Sequence, residues 1–136
     1  PAVVESSAGV DRTILTVLCD AYWEDAEHDR VVLRLDPKIA PTKVAILPLV
    51  NRDGMPEIAE AIFNDVKKQF AAFYDQAGSI GRRYRRQDEA GTPFGITVDS
   101  QTLQDGSVTL RDRDTLEQIR LPKENIVKVL QEKLAL

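Results

Sequence analysis

The feature that most constrains the fold is a nearly continuous apolar run at residues 44–50, Val-Ala-Ile-Leu-Pro-Leu-Val. A strand that is apolar on both faces is typical of a parallel sheet, in which crossover helices cover both faces. A turn at residues 51–54 follows, and a helix is predicted from about Pro56 to Phe70 because apolar residues recur there every four positions. This strand and helix predict the first part of a parallel α/β core.

The residues after this unit continue the alternation of strands and helices. The predicted elements are a strand, a helix, a strand, a hairpin and a final helix, at residues 72–74, 79–90, 94–98, 108–121 and 123–135. Right-handed crossovers make the first three strands of the domain parallel, and a hairpin added at one edge makes the sheet mixed. The sequence therefore predicts an α/β fold with a mixed sheet of about five strands and helices on both faces.

The N-terminal part of the chain has a different pattern. Residues 2–4 predict a short strand, and apolar residues at helical spacing predict a helix over residues 10–23. Acidic residues dominate from 24 to 29, and Pro37 and Pro41 interrupt any longer element. We predict a strand-helix unit at residues 1–23, a solvated linker at 24–41 and the α/β domain at 42–136.

Composition excludes several classes of protein. A length of 136 residues fits one compact domain with a short extra element. No apolar run approaches the roughly 20 residues of a membrane span, and the opening lacks the basic leader of a signal peptide. The single cysteine, Cys19, excludes an internal disulfide framework, and with the single histidine, His28, it cannot form a zinc cluster. We therefore expect a cytoplasmic protein with no membrane partner.

The charge of the chain is unevenly distributed. The formal net charge of −4 argues against binding nucleic acid by bulk charge, and DNA is not an expected partner. Residues 1–30 contain seven acidic and two basic side chains, so the remaining residues sum to +1. Within that near-neutral stretch, four arginines surround one tyrosine at residues 82–86. The basic character is thus concentrated in one short segment.

This arginine-rich segment lies in the second predicted helix of the α/β domain. Arg82, Arg86 and Glu89 share one face of that helix, and Arg83 and Gln87 lie about a quarter-turn away. Planar guanidinium groups beside a tyrosine and a glutamine can bind phosphates and offer flat surfaces to unstacked bases. The alternative is a solvated helix face whose arginines pair with nearby acids, and composition alone favours that alternative.

A second charged segment is Arg-Asp-Arg-Asp at residues 111–114. Alternation along a strand places Arg111 and Arg113 on one face and the two aspartates on the other. This pattern forms either an ion-pair ladder with the neighbouring strand or a base-reading edge, and the pattern alone favours the ladder. Asp112 and Asp114 have no histidine or third acid at ligand spacing, so we predict no metal site there.

A third candidate is the segment at residues 5–12, Glu-Ser-Ser-Ala-Gly-Val-Asp-Arg. A strand, a turn of small residues and an arginine at the start of a helix can form a phosphate-directed site. The alternative is that Asp11 is a helix N-cap and Arg12 its exposed neighbour. The segment is not a Walker loop, because the Gly-Lys-Ser/Thr core is missing.

Three segments together resemble those of glycyl-tRNA synthetases. Residues 4–12 resemble the third conserved motif of class II aminoacyl-tRNA synthetases, in the form used by the dimeric glycyl enzymes. Residues 78–94 and 108–115 resemble two segments of the anticodon-binding domain of those enzymes. The three segments occur in the right order and span essentially the whole chain. The resemblance implies that the chain is a C-terminal fragment of such an enzyme.

The resemblance also implies a role for each unit. The domain would be the α/β anticodon-binding domain shared with the histidyl, prolyl and threonyl enzymes, and residues 1–23 would close the catalytic domain. The family's motif arginine, which contacts ATP phosphates, is Arg12 here, and the residues that help recognise glycine are Glu5 and Ser7. Ser6 stands where the family has proline. ATP, with Mg²⁺, would be a substrate of the intact enzyme, whereas the fragment alone should be inactive and need no cofactor.

The implied partner is a glycine tRNA. Every glycine anticodon ends in two cytosines, whose amine donor and ring acceptors suit Asp, Glu, Gln and Arg side chains. The residues expected to contact the tRNA are Arg82, Arg83, Arg86, Gln87, Glu89, Arg111 and Arg113. A homodimer is expected for the intact enzyme, through regions outside this chain. The alternative is a non-enzymatic homologue of the anticodon domain, such as a polymerase accessory subunit or a tRNA-binding regulatory module.

Overall fold

The computed structural model describes residues 2–134, whose secondary structure follows the predicted order except that the strand at residues 2–4 is absent and a hairpin and a short helix are added. The helices are α1 (Val10–Ala21), α2 (Met55–Val66), α3 (Ile80–Ala90), α4 (Ser100–Asp105) and α5 (Ile126–Leu134), the last preceded by a 3₁₀ turn at Lys123–Asn125. The strands are β1 (Tyr22–Asp25), β2 (Arg30–Leu33), β3 (Val44–Pro48), β4 (Ala72–Tyr74), β5 (Phe94–Val98), β6 (Ser107–Asp112) and β7 (Gln118–Pro122). Within the described residues no helix is long and apolar enough to cross a lipid bilayer. Ala135, the predicted end of the last helix, lies outside the described residues.

Five strands form one mixed sheet in the order β4-β3-β5-β6-β7. Strand β3 is parallel to both neighbours, with Ile46 opposite Tyr74 on one side and Ile96 on the other. Strand β6 is antiparallel to both β5 and β7, so the hairpin of β6 and β7 forms one edge of the sheet. The prediction of a mixed α/β sheet of about five strands is confirmed.

One face of the sheet packs against α2 and α5. The apolar run predicted to be a doubly covered strand is fully buried throughout β3. Side chains of alternate strand positions meet helix residues spaced by three or four, as expected for an amphipathic helix on a sheet. The members with the least exposure are Val44, Ile46, Ala59, Ile96, Val98, Val108 and Leu130. This layer forms the main hydrophobic core.

The opposite face of the sheet is covered by α3 over β3 and β5. The Tyr84 ring lies against Gly95, where a Cβ would come within 2.8 Å of the ring, so only glycine allows this approach. The Tyr84 hydroxyl shares a hydrogen bond with the Thr97 hydroxyl. Helices therefore lie on both faces of the sheet, as predicted.

The N-terminal prediction needs two corrections. Residues 2–4 are exposed and form no strand, because no strand in the described chain pairs with them. Helix α1 ends at Ala21, and Tyr22 and Trp23 instead pair with Leu33 and Val32 in an antiparallel ladder. Their aromatic side chains suit a strand surface better than a helix end, and the helix prediction over residues 10–23 is two residues too long.

The segment predicted as a solvated linker contains most of a β-hairpin. Strands β1 and β2 pair across a turn at residues 26–29, with Val32 fully buried and Asp25 and Arg30 almost so. Some acidic residues of this segment lie in the exposed turn, but Asp25 is buried. The density of acidic residues therefore predicted a solvated segment that is longer than the exposed turn. Whether residues 24–41 separate two domains stays a prediction.

A short helix, α4, was not predicted. Asp99 accepts hydrogen bonds from the backbone of Gln101 and Thr102, and the Thr102 side chain accepts one from the Asp99 backbone, which forms a capping box. Helix α2 also ends earlier than predicted, at Val66 instead of Phe70. The second difference concerns a helix end, which apolar spacing locates only to within a few residues.

Candidate nucleic-acid interface

Helix α3 divides its charged residues between an exposed side and a buried side. Arg82, Arg85, Arg86 and Glu89 are exposed, whereas Arg83, Gln87 and Asp88 are buried. The helix ends at Gly91, whose φ of +79° suits the left-handed C-cap position. The structure thus brings three of the five predicted α3 contacts, Arg82, Arg86 and Glu89, to the surface and turns Arg83 and Gln87 inward.

Arg83 binds the carboxyl ends of two parallel strands. Its side chain is 2% exposed and donates hydrogen bonds to the carbonyl oxygens of Pro48, Leu49 (3.1 Å) and Asp75 (3.2 Å). Burial lowers the pKa of Arg83, and its Nε has no hydrogen-bond partner in the described chain. The geometry gives this arginine an internal role, which is to hold the ends of β3 and β4 together.

The side chains of Arg85 and Arg86 are exposed, and each donates a hydrogen bond to another part of the chain. Arg86 Nη2 lies 2.6 Å from Asp75 Oδ2 and donates to the Ala77 carbonyl. Burial would raise the pKa of Asp75, but bonds from the Ala77 N–H and Arg86 outweigh it and lower that pKa. Arg85 donates to the His28 carbonyl at 2.8 Å.

Arg82 differs from its neighbours on this side of α3. Its side chain makes no hydrogen bond or ion pair with any part of the chain that the structure describes. A free guanidinium on an exposed helix side can bind a phosphate without first breaking an internal contact.

Asp88 is the centre of a buried ion network beneath α3. Its carboxylate is 1% exposed and accepts two hydrogen bonds from Arg111, at 2.8 and 2.9 Å, and one from Arg30 at 3.0 Å. The Arg111 guanidinium also lies over the Tyr84 ring, 4.6 Å from its centroid. Arg111 is therefore fixed by a bidentate pair on one side and a cation–π contact on another.

The network continues into the hairpin of β1 and β2. Arg30 Nε lies 2.7 Å from Asp25 Oδ2, and the Asp25 carboxylate also contacts His28 Nδ1 at 2.9 Å. Burial alone would raise the pKa of Asp25, but the hydrogen bonds from Arg30 and His28 outweigh it and lower that pKa to about 2. A continuous chain of charged groups therefore joins the hairpin, α3 and β6.

Gln87 and Arg113 have internal partners. The Gln87 side-chain oxygen accepts a hydrogen bond of 2.8 Å from the Thr92 hydroxyl. Arg113 is 2% exposed, donates to the carbonyls of Gly91 and Leu35 at 2.9 Å, and pairs with Asp114. These contacts join the end of α3 to the chain after β2.

The charged segment at residues 111–114 does not form the predicted ladder. Strand β6 ends at Asp112, so Arg113 leaves the sheet. Asp112 accepts hydrogen bonds from the backbone of Asp114 and Thr115 and so closes the turn before β7. Among residues 2–134 no three metal-ligating side chains come together.

A groove of about 330 Å³ lies between α3, the hairpin turn and the β6–β7 turn. Arg111 and Tyr84 form its floor, and Arg85 lies on its rim. The full lining is His28, Gly81, Tyr84, Arg85, Asp88, Arg111, Leu116 and Gln118. A stacked arginine and tyrosine in a groove with polar walls is a suitable surface for an unpaired base.

A polar cluster that was not predicted from the sequence lies on β6 and β7 beside this groove. Arg120 on β7 forms two bonds to the Asp99 carboxylate, of 2.6 and 2.7 Å, and also donates to Ser107 and Thr109. Hydrogen bonds from Arg120 and from the Thr102 backbone lower the pKa of Asp99 to about 2, and they outweigh burial, which alone would raise it. Alternation of Gln118 and Arg120 with apolar Ile119 and Leu121 was the available signal.

The N-terminal candidates lie apart from this surface. Glu5, Ser7 and Arg12 are all exposed. Ser7 and Arg12 line one shallow depression of about 380 Å³ at the start of α1, and Glu5 does not. The N-cap of α1 is Gly9, which leaves Asp11 in the first turn, so the alternative of Asp11 as N-cap is wrong.

Comparison with known proteins gives consistent results. The family model described as "Anticodon binding domain" matches residues 43–133. A glycine–tRNA ligase of Rhodopirellula baltica is 51% identical over 98% of this chain and 26% of its own length. The glycine–tRNA ligases of Caldanaerobacter subterraneus and Treponema denticola are 54% and 49% identical, over 98% and 93% of this chain.

The matches cover nearly all of this chain but only a small part of each relative. The chain spans only 26 to 30% of the length of the three relatives, whereas the matched region includes 93 to 98% of this chain. The resemblance found in the sequence is confirmed, and so is the expected fold. The family match covers β3 to α5, the sheet and the helices on both its faces. The chain therefore belongs to the anticodon-binding domain family.

Proposed function

We propose that this chain binds glycine tRNA through the anticodon, as one part of a longer glycine–tRNA ligase. The observation that carries the proposal is the identity of 49 to 54% with glycine–tRNA ligases over nearly the whole chain. The intact protein would join glycine to its tRNA with ATP and Mg²⁺, as a homodimer in the cytoplasm. The chain, at under a third of the relatives' length, would bind tRNA without catalysis.

The tRNA-binding surface in this proposal has two parts. The exposed guanidinium groups of Arg82, Arg85 and Arg86 provide positive charge for the backbone phosphates. The groove floored by Arg111 and Tyr84, with Gln118 on its wall, provides flat and polar surfaces for bases. Both parts lie on the same side of the domain, because α3 forms one wall of the groove.

The predicted set of contacts changes accordingly. Arg83, Gln87 and Arg113 hold the fold and are left out of the proposed surface, since their side chains are buried and make internal hydrogen bonds. Arg82, Arg86, Glu89 and Arg111 remain in it. Four residues are added to the surface: Arg85 and Gln118 line the groove, and Asp99 and Arg120 form the polar cluster beside it.

The polar cluster beside the groove offers a hydrogen-bond acceptor that suits cytosine. Asp99 Oδ2 accepts only from Arg120 within the described residues, so it can also accept from the exocyclic amine. The N–H groups of Arg120 already donate to Asp99, Ser107 and Thr109, so this arginine holds the carboxylate in place. Their mutual ion pair holds both groups at the surface, with side-chain exposures of 21% and 29%. This arrangement supports recognition of the cytosine amine by Asp99, which Arg120 holds in position.

The N-terminal segment is proposed to act only within the longer protein. Glu5, Ser7 and Arg12 would contact glycine and ATP phosphates, and their exposure fits groups whose partners lie outside this chain. Helix α1 exposes the apolar side chains of Val10 (72%), Ile14 (53%) and Leu15 (61%), which need a cover. Amide exchange across residues 10–21 should therefore be much faster than across 44–48, and equal protection would contradict this.

The proposal is tested by tRNA binding at one stated salt concentration. Glycine tRNA is compared with a copy in which both anticodon cytosines are replaced. Anticodon reading predicts a loss of about 1–3 kcal/mol per changed base. Equal affinity for both would leave only charge-driven contact and would favour a non-enzymatic homologue, or a fragment whose specificity needs the rest of the enzyme.

A further inference from the structure

The hairpin of β1 and β2 lies outside the residues that the family model matches, yet it is part of the same folded unit. The match begins at residue 43, whereas the hairpin spans residues 22–33. Its turn residue His28 lines the groove floored by Arg111, and the His28 carbonyl accepts a hydrogen bond from Arg85. The hairpin therefore forms one wall of the proposed base-binding groove.

The hairpin also reaches the floor of the groove through buried charge. The Arg30 side chain is 1% exposed, and it bonds to Asp25 at 2.7 Å, to Asp88 at 3.0 Å and to the Arg113 carbonyl at 2.9 Å. Asp88 is held between Arg30 on one side and the bidentate Arg111 on the other. The position of the Asp88 carboxylate thus depends on Arg30, and the position of Arg111 depends on Asp88.

The charges in this network balance. Two arginines, Arg30 and Arg111, face two aspartates, Asp25 and Asp88, and all four side chains are at most 10% exposed. In such a site a missing partner is not replaced by solvent, so the remaining groups must move to find new partners. A change at Arg30 is therefore transmitted to Arg111, although the two guanidinium groups share only the Asp88 carboxylate.

We propose that Arg30 is a positioning residue for anticodon reading, which fixes the Arg111 guanidinium in the groove through Asp88. This inference rests on the proposed function, because it assigns Arg30 a part in the same tRNA surface. It also makes the hairpin an integral part of the RNA-binding unit. Arg30 contacts no RNA in this account, and its effect is exerted only through Asp88 and Arg111.

The test compares Arg30, on β2, with Arg34, which follows β2 directly. Arg30→Met removes the bridge, whereas Arg34→Met removes an arginine that is 47% exposed and pairs with Asp114 at 3.7 Å. For each variant and the unchanged chain, the affinities for glycine tRNA and for the cytosine-replaced copy are measured at one salt concentration. The ¹⁵N side-chain signal of Arg111 is recorded without tRNA, and circular dichroism checks the fold.

We expect Arg30→Met to shift the Arg111 signal and to reduce the ratio of the two affinities by about fivefold or more, or roughly 1 kcal/mol. Arg34→Met should leave both within about twofold. If Arg30→Met does not fold, Arg30→Lys takes its place, since it keeps a cation beside Asp25 but cannot bridge to Asp88 with a planar fork.

The possible outcomes separate the two proposals. If the unchanged chain discriminates and the Arg30 variant discriminates equally well, the inference is wrong and the proposed function stands. If the unchanged chain does not discriminate at all, the proposed function fails, and the inference fails with it. If both arginine variants lose discrimination equally, the effect belongs to the hairpin's general stability, and the role of Arg30 is contradicted.

Discussion

The two sides of α3 carry the same kinds of side chain in opposite environments. On the outer side, Arg82, Arg85 and Glu89 are exposed to solvent. On the inner side, Arg83 and Asp88 are at most 2% exposed and hydrogen-bonded to strand ends or to other buried charges. Identical residue types therefore serve stability on one side and, in the proposed function, binding on the other.

This difference shows that the environment, and not the residue type, decides the role of an arginine in this domain. A buried guanidinium must have its donors bound internally, because solvent cannot replace them. An exposed one gains little from a surface ion pair and keeps its donors available for phosphate. Substitutions on the inner side should change the free energy of unfolding, and those on the outer side should change tRNA affinity.

The largest effect is expected at Asp88. In Asp88→Asn, the guanidinium groups of Arg30 and Arg111 lose the carboxylate between them, which should destabilise the fold by about 3–5 kcal/mol. Glu89→Gln, one residue away on the outer side, should change the free energy of unfolding by less than about 0.5 kcal/mol. Urea denaturation measures both. A loss at Asp88 of under about 1 kcal/mol would break the distinction between the two sides.

A smaller effect is expected for the neighbouring pair Arg82 and Arg83. Arg83→Met removes one donor from each of three carbonyl contacts, and a loss of about 1–3 kcal/mol in the free energy of unfolding should follow. The cost is limited because the unpartnered Nε of Arg83 is already unfavourable. Arg82→Met should keep stability within about 0.5 kcal/mol and weaken tRNA binding. The reverse assignment of stability and binding would contradict the structure.

The smallest effect concerns acid stability at the edge of the sheet face. The pKa of Asp99 in the folded chain is about 2, below its usual value of 3.8. Its contribution to stability is therefore fully present above pH 4 and is lost as the pH falls towards 2. As the pH falls from 4 to 2, the free energy of unfolding should decrease by about 1 kcal/mol less in Asp99→Asn than in the unchanged chain, after allowance for solvent screening.

Thermal unfolding at several pH values measures this difference. Asp105→Asn is the matched control, because Asp105 is exposed and its pKa is lowered mainly by a hydrogen bond from the Ser107 hydroxyl. The control should follow the unchanged chain more closely than Asp99→Asn does. An acid-induced loss that is the same in all three chains would show that the pair of Asp99 and Arg120 does not stabilise the fold.

Much of the domain could be predicted from the sequence, because its core elements are specified by apolar periodicity. The run at residues 44–50 identified β3, and the spacing of Ile58, Ile62 and Val66 identified α2. The hairpin of β1 and β2 was missed because its inward positions include Asp25 and Arg30, which alternation of apolar residues cannot reveal. Pairing between charged groups that are close only in the folded chain decided their burial.

The same reason explains how far the candidate site could be predicted. Helical spacing separated Arg82 from Arg83, but α3 has no apolar stripe to show which side faces the sheet. The inner side is polar, and it is buried because Pro48, Asp75 and Arg111 offer hydrogen-bond partners. Arg120 was missed because its partner, Asp99, lies 21 residues away on another strand end.

The most direct test of the distinction between the two sides is the salt dependence of tRNA binding. The affinity for glycine tRNA is measured from low to high potassium chloride for the unchanged chain, Arg82→Met, and Arg82→Met with Arg85→Met. The account predicts that the slope of log affinity against log salt falls by about 0.7–0.9 for each arginine removed, with no change in thermal stability. An unchanged slope in both variants would show that the outer side of α3 does not contact tRNA phosphates, and would contradict the account.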